Sequence, residues 1–267
     1  MSGEGGKFAD LTARFLSAVV MVLVGGAALW AGGGWFLALI ALSAGAMVFE
    51  TARMSDPGGG DLGALAQGGL AAAAMGLAWH FGVPWSVGLL AAPAALGLAM
   101  ALQRRWMLAG FALYIMVAAF GLVALRAGGG LVWALWLVAV VVVSDVAGYF
   151  AGRLIGGPKL WPRVSPKKTW SGTLAGWIGC AALGAAFMGP TGAGPVLIVL
   201  SVVAAMAAQA GDIVESALKR KVGVKDASNL IPGHGGVFDR FDGMLGAALA
   251  VMIIGALAGL PPGFAAP

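Results

Sequence analysis

Charge is what this sequence has least of. Only 10% of its 267 residues are Asp, Glu, Lys or Arg, against 60% hydrophobic, and the mean hydropathy is +0.94. That balance excludes a water-soluble globular domain, in which about a quarter of the residues carry charge. Cysteine is nearly missing as well. Cys180 stands alone in an apolar run, so neither a disulfide framework nor a cysteine metal site can form within one chain. The stretch from Phe15 to Trp30 follows Arg14 but lacks a clear cleavage site, and reads as a first spanning helix rather than a signal peptide. The run Gly3-Glu-Gly-Gly-Lys7 does not have P-loop spacing. No convincing repeat is present, because Gly-Ala richness produces false self-similarity. The net charge of +5 points to no nucleic-acid partner, since the positive residues sort by loop.

What is present is a succession of apolar runs of eighteen or more residues, each long enough to cross a bilayer as a helix. They predict spans at 14–31, 34–52, 62–80, 85–102, 106–125, 131–152, 170–189, 194–218 and 243–261. The 45 glycines fit helices packed closely through small residues in lipid. The expected fold is an all-α polytopic integral membrane protein with about nine transmembrane helices, its N-terminus cytoplasmic and its C-terminus outside. The orientation follows from the positive residues. Fifteen of the sixteen, Lys7 among them, then lie on the cytoplasmic side, and only Arg126 lies opposite. Two polar loops, 153–169 and 219–242, face the cytoplasm together. The chain divides into N-terminal transmembrane helices (1–130), which face lipid and offer acyl-chain and dimer contacts, and a catalytic transmembrane region (131–267). Trp30, Trp35, Trp79, Trp85, Trp106, Trp133 and Trp170 lie near span ends as interfacial anchors. Glu50 and His80, also at span ends, are expected to point into headgroups.

The scarce charges gather between Gly211 and Gly243, which hold five of the eleven acids and five of the sixteen basic residues. Asp212, Glu215, Ser216 and Lys219 are spaced i, i+3, i+4, i+7 and share one helical face. Asp212 lies roughly 10 Å deeper than Lys219 along the helix. Facing lipid there costs about 2.5–3.5 kcal/mol. Two readings remain: an internal salt bridge, or a face of metal ligands. The following loop carries Lys225-Asp226, Ile231-Pro-Gly-His-Gly-Gly236 and Asp239-Arg-Phe-Asp242. Its glycines allow close backbone approach and free N–H groups for phosphate oxygens. Asp242 reads as a helix N-cap or a ligand, His234 as a turn residue or a phosphate or base contact. Asp145, Gly148, Tyr149 and Gly152 share a face at the end of the sixth span. Ser165-Pro-Lys-Lys-Thr-Trp-Ser-Gly172 then sets two lysines before a helix start, an anion site or a positive loop capped by Thr169 or Ser171. Deep carboxylates, lysines and Gly-rich backbone are the means by which Mg²⁺ and phosphates are held together. Phosphoryl or nucleotidyl transfer needs that arrangement.

The segment from Ser216 to Asp242, 27 residues without a gap, closely resembles the signature of the phosphatidate cytidylyltransferase (CDP-diacylglycerol synthase) family. Asp145-Val-Ala-Gly-Tyr-Phe-Ala-Gly-Arg153, Ser165-Pro-Lys-Lys-Thr-Trp170 and Gly211-Asp-Ile-Val-Glu-Ser216 resemble its other recurring segments in order. The resemblance begins near Asp145, and Ser171 departs from the Glu or Gln of many members. It implies transfer of cytidylyl from CTP to phosphatidate at a bilayer, with Mg²⁺ and a K⁺ sharing the site, in a homodimer. It implies Asp212 and Asp239 as metal ligands, with Asp145, Glu215 and Asp242 as supporting acids. Lys219, Arg220 and Lys225 join Asp212 and Asp239 in the catalytic set. Ser165, Lys167, Lys168, Thr169, Ser216, His234, Gly235, Gly236, Arg240 and Tyr149 fall on substrate. The compact length suits a bacterial inner membrane with the site facing the cytoplasm. Two rivals stand beside this reading. One is a CTP-dependent transferase or kinase acting on another lipid. The other is a cation-coupled transporter, against which the one-sided charges and the lack of an inverted repeat both count. If Lys225 serves the triphosphate, Lys225→Ala raises the apparent KM for CTP more than that for the lipid; steady-state assays with each substrate varied check this.

Overall fold

The structure is a computed structural model and describes residues 4–82 and 85–259, with side chains from Thr12 onward. The side chain of Lys7, Pro84 and the C-terminal end after Gly259 fall outside the described residues. The chain runs α1 (Glu4–Ala31), α2 (Gly33–Ser55), a 3-10 turn at Pro57–Gly59, α3 (Gly60–Phe81), α4 (Trp85–Met100), α5 (Arg105–Gly128) and α6 (Gly130–Leu154). A hairpin of β1 (Lys159–Trp161) and β2 (Ser165–Thr169) follows, then α7 (Trp170–Thr191), α8 (Val196–Val222) and α9 (Phe238–Ala258). The fold is all-α and polytopic. Among the described residues, eight helices are long and apolar enough to cross a membrane.

The expected span at 85–102 appears as α4, an apolar helix of only 16 residues. That is about 24 Å of rise, short of a hydrocarbon core of about 30 Å. Its end has a physical cause. The Asp56 carboxylate accepts the amides of Leu102 at 2.9 Å and Gln103 at 3.2 Å, drawing the chain out of the helix.

Two compact units divide the chain, Met1–Met116 with Val224–Arg240, and Val117–Gly223 with Phe241–Pro267. In the first, α2 packs on α3 and α3 on α4, while α1 lies along α2. Phe36, Ile40, Ala44, Met47 and Val48 recur at helical spacing and form the buried face of α2. Gly45 and Gly68 let α2 and α3 touch through backbone; a Cβ on either would stand 2.7 Å from the other's carbonyl oxygen. In the second unit α7 packs between α6 and α8. The Trp136 indole donates to Ser201 Oγ at 2.9 Å, so even its N–H is satisfied in the interior.

Trp133 corrects the expectation of an interfacial anchor. It is only 3% exposed and packs edge-on against Trp136 at 5.6 Å, because it shares the inward face of α6 with Trp136, Leu137 and Val140. Trp30, Trp35, Trp85 and Trp106 are exposed, as anchors should be.

Helices α8 and α9 approach through Gly211 and Gly246. A Cβ on Gly246 would run into the Ala207 carbonyl, and one on Gly211 into the Asp242 carbonyl. Gly246→Ala is therefore expected to lower stability by about 1–3 kcal/mol through overpacking. Gly69→Ala, where a Cβ meets nothing within 4 Å, should be neutral or slightly stabilising. Thermal unfolding of the two detergent-purified variants, followed by tryptophan fluorescence, compares them.

Candidate active site

The face predicted on α8 forms as the spacing demands. Ser216 Oγ donates to Asp212 Oδ1 at 3.3 Å, and the Lys219 ammonium pairs with Glu215 Oε2 at 2.6 Å. Glu215 is fully buried and Lys219 nearly so. The Gly211–Gly246 approach brings the first turns of α9 against this face. One oxygen each from Asp212, Glu215 and Asp242 then lie within 4.8 Å of one another. Asp242 does not cap α9, which begins four residues earlier; its Oδ1 accepts the following amide of Gly243 at 2.7 Å. Both readings of Asp212 meet here, since Lys168 pairs with its Oδ2 at 2.5 Å within a group of acids that could hold a cation.

Lys168 arrives on the β1–β2 hairpin, in a stretch where the sequence predicts a loop. Lys159 pairs with Thr169 and Trp161 with Ser165 across it. Thr169 ends the hairpin and caps α7, accepting the Gly172 amide at 3.2 Å, while Ser171 Oγ donates to the Gly156 carbonyl. The small residues of α6 serve a neighbouring helix, because a Cβ on Gly148 would lie 3.3 Å from the Gly172 carbonyl oxygen of α7. Beside this contact opens a cavity of about 470 Å³, with Asp145, Tyr149, Arg153, Lys167, Lys168 and Thr169 among its lining. Tyr149 steadies Arg153, accepting its guanidinium at 2.7 Å. Lys168 thus joins a basic cavity to the acidic group.

The signature loop is ordered by its own turn chemistry. Ile231-Pro-Gly-His234 closes with the His234 amide on the Ile231 carbonyl at 2.9 Å, and Gly233 takes φ +74°, as a type II turn requires. His234 Nδ1 lies 2.7 Å from Ser17 Oγ of α1, so a side chain rather than backbone satisfies it. Asp239 lies inside α9 and accepts the amides of Ala227 at 2.9 Å and Gly236 at 2.7 Å. Arg220, Lys225 and Arg240 are exposed, and Ser165 is half-buried.

Two polar residues, Gln209 and Ser228, have no role in the sequence pattern, and a third, Glu50, has a different one from that expected. Gln209 accepts from the Trp177 indole at 3.0 Å, donates to Ser144 Oγ at 3.1 Å, and lines the cavity with Ser144. Its signal was present: it lies three residues before Asp212 on the same face of α8. Glu50, expected among headgroups, is instead fully buried. Both of its oxygens accept hydrogen bonds from residues 228–238, Ser228 among them.

The helices and these side chains define a polytopic membrane protein with an acidic, lysine-bearing site among its C-terminal helices. Its sequence profile settles the family. The chain belongs to the cytidylyltransferase family, which matches residues 12–258. It is similar to the phosphatidate cytidylyltransferase of Brucella suis biovar 1, 44% identical over 162 residues, 58% of each chain. The protein of that name from Helicobacter pylori strain J99 is 42% identical over 144 residues, 53% of this chain and 54% of the relative. That from Mycobacterium bovis is 37% identical over 139 residues, 51% of this chain and 45% of the relative. The chain thus spans about half the length of the curated relatives it matches, from 45% to 58% among these three.

Three carboxylate oxygens within 4.8 Å suit a hard divalent cation, whose octahedral ligand oxygens stand about 3–4 Å apart. Purified full-length protein is expected to bind Mn²⁺, read by electron paramagnetic resonance. Asp212→Asn and Asp242→Asn should each weaken binding at least about tenfold. Unchanged affinity in both would remove these acids from any cation site.

Proposed function

We propose that this protein transfers a cytidylyl group from CTP to phosphatidate, giving CDP-diacylglycerol and pyrophosphate in phospholipid synthesis. One observation carries the reading: three carboxylates gathered among membrane-spanning helices, joined through Lys168 to a cavity lined with basic residues. The names of the similar bacterial proteins support the same chemistry. In this reading loops 153–169 and 219–242 face the cytoplasm, where CTP is available, in a bacterial inner membrane. K⁺ and a homodimer belong to the same proposal.

Phosphatidate is anionic at neutral pH, so no strong base is required. Its phosphate oxygen bonds to the α-phosphorus of CTP as the bond from that phosphorus to the bridging oxygen of the β-phosphate breaks. Pyrophosphate leaves with the electron pair. Lys167, Lys168 and Arg153 are suited to hold phosphate oxygens in the cavity, with Tyr149 fixing Arg153 and Thr169 fixing the start of α7. Asp212, Glu215 and Asp242 would hold Mg²⁺, which when bound offsets the repulsion between anions and stabilises departing charge. Asp145 lies within electrostatic reach of Lys168 and Asp212 and extends the acidic set. Asp239 already accepts two loop amides, so its substitution tests loop order before it tests cation binding.

Asp212→Asn is expected to abolish Mg²⁺-dependent incorporation of labelled CMP into lipid, with pyrophosphate release lost in parallel, while the variant still inserts. Wild-type rates in that variant would take Asp212 out of the chemistry. Incorporation into a competing polyprenol rather than phosphatidate would reassign the lipid.

A further inference from the structure

Glu50 is the buried acid that the proposed chemistry leaves unused. It lies in α2, outside the part of the chain that carries the family signature, and none of its surface is exposed. Its Oε1 accepts the Ser228 hydroxyl at 2.5 Å and the Val237 amide at 2.8 Å; its Oε2 accepts the Phe238 amide at 2.7 Å. Asp239 accepts the preceding amide, Gly236, at 2.7 Å. Three consecutive amides thus end on two carboxylates. They include N–H groups that the first turn of a helix leaves without partners, where negative charge is also favoured by the helix dipole. The glycines make the room. A Cβ on Gly236 would sit 2.6 Å from Glu50 Oε1, and one on Gly235 2.7 Å from Asp239 Oδ2.

An ordinary N-cap comes from the residue next to its helix. Glu50 comes from 187 residues away in the sequence, so it ties the loop to a membrane-spanning helix rather than the helix to itself. The loop's other ties are Ser17 of α1, whose Oγ lies 2.7 Å from His234 Nδ1 and donates to the Pro232 carbonyl at 3.0 Å, and Asp239, while Lys225, Asp226, Leu230 and Pro232 are exposed.

We propose that Glu50 is a positioning residue for the reaction: through the 227–238 segment it sets where Lys225 and Asp239 stand when CTP binds. This rests on the cytidylyl-transfer reading. Glu50→Ala leaves a hydroxyl and two amides facing a void. Glu50→Gln keeps the volume and one accepting oxygen but turns an NH₂ group against an N–H donor.

The test uses purified full-length protein with CTP, phosphatidate and Mg²⁺. Glu50→Ala is expected to lower kcat/KM for CTP on the order of 100-fold, with a raised KM, because a small misplacement of binding groups is enough for such a loss. Glu50→Gln should lower it roughly tenfold. Hydrogen exchange at 236–238 should accelerate in both while exchange in α7 and α8 is unchanged. A merely structural role would lower Vmax with the folded fraction and leave KM for CTP unmoved. That result, or wild-type exchange at 236–238, overturns the proposal. Should Glu50→Ala not fold, Glu50→Gln decides by the same two readouts. Wild-type protein that transfers no CMP overturns the function reading and this proposal with it; an active wild type with a normal Glu50→Gln overturns this proposal alone.

Discussion

A carboxylate carried on a membrane-spanning helix must be met by donors, and most of the functional architecture follows from how this chain meets each one. An Asp at the centre of such a helix costs about 2.5–3.5 kcal/mol. A hydrogen bond to a charged group returns about 1.5–3 kcal/mol. One or two good partners therefore decide whether the acid is tolerated. The chain uses three kinds. Asp212 and Glu215 take lysines, from β2 and from the next turn of α8. Glu50 takes a hydroxyl and two amides of a distant loop. Asp56, just past the end of α2, is met in the third way, by the two amides that follow α4. Only the first kind leaves carboxylates gathered together, with ammonium groups as partners. An ammonium can be exchanged for another cation without breaking backbone structure, whereas amides cannot. That difference separates acids fit for chemistry from acids fit for scaffolding.

The second constraint is distance. Lipid tails give no hydrophobic push between helices, so contact depends on close packing and on hydrogen bonds. Glycine serves both. Between α8 and α9 it brings Asp242 within a few ångströms of Glu215 and Asp212, 27 and 30 residues earlier in the sequence. Between α6 and α7 it lets the backbones touch at Gly148 and Gly172, beside the cavity. In the loop it opens space for Glu50 and Asp239 to reach the amides. The same residue type thus sets helix spacing, carboxylate spacing and amide capping. A methyl group at the helix contacts would alter the site without touching a charged side chain, whereas one at Gly235 or Gly236 would press on Asp239 or Glu50.

How much of this was legible in the sequence depends on the range of each interaction. Helix positions were legible because a bilayer core asks about 20 apolar residues of a spanning helix, and α4, at 16 residues, is the run that falls short. The face of Asp212, Glu215, Ser216 and Lys219 was legible because helical spacing is local. The pairing of Asp212 with Lys168 was open only as an alternative, since it joins a helix to a hairpin the apolar pattern does not announce. Glu50 was misread for the same reason. Nothing in its own neighbourhood differs from that of a carboxylate at a helix end, and its partners lie 178 to 188 residues away. Trp133 shows the limit on the apolar side: a tryptophan near a span end packs inward when its neighbours on the same face do. Sequence near a residue tells what that residue can tolerate. What it does is settled by the donors that arrive from elsewhere, and in lipid a buried acid without donors would not persist. A lone carboxylate inside an apolar run is therefore best read as a demand for a distant partner, and the Gly-Gly pair at 235–236 is where this chain leaves room for one.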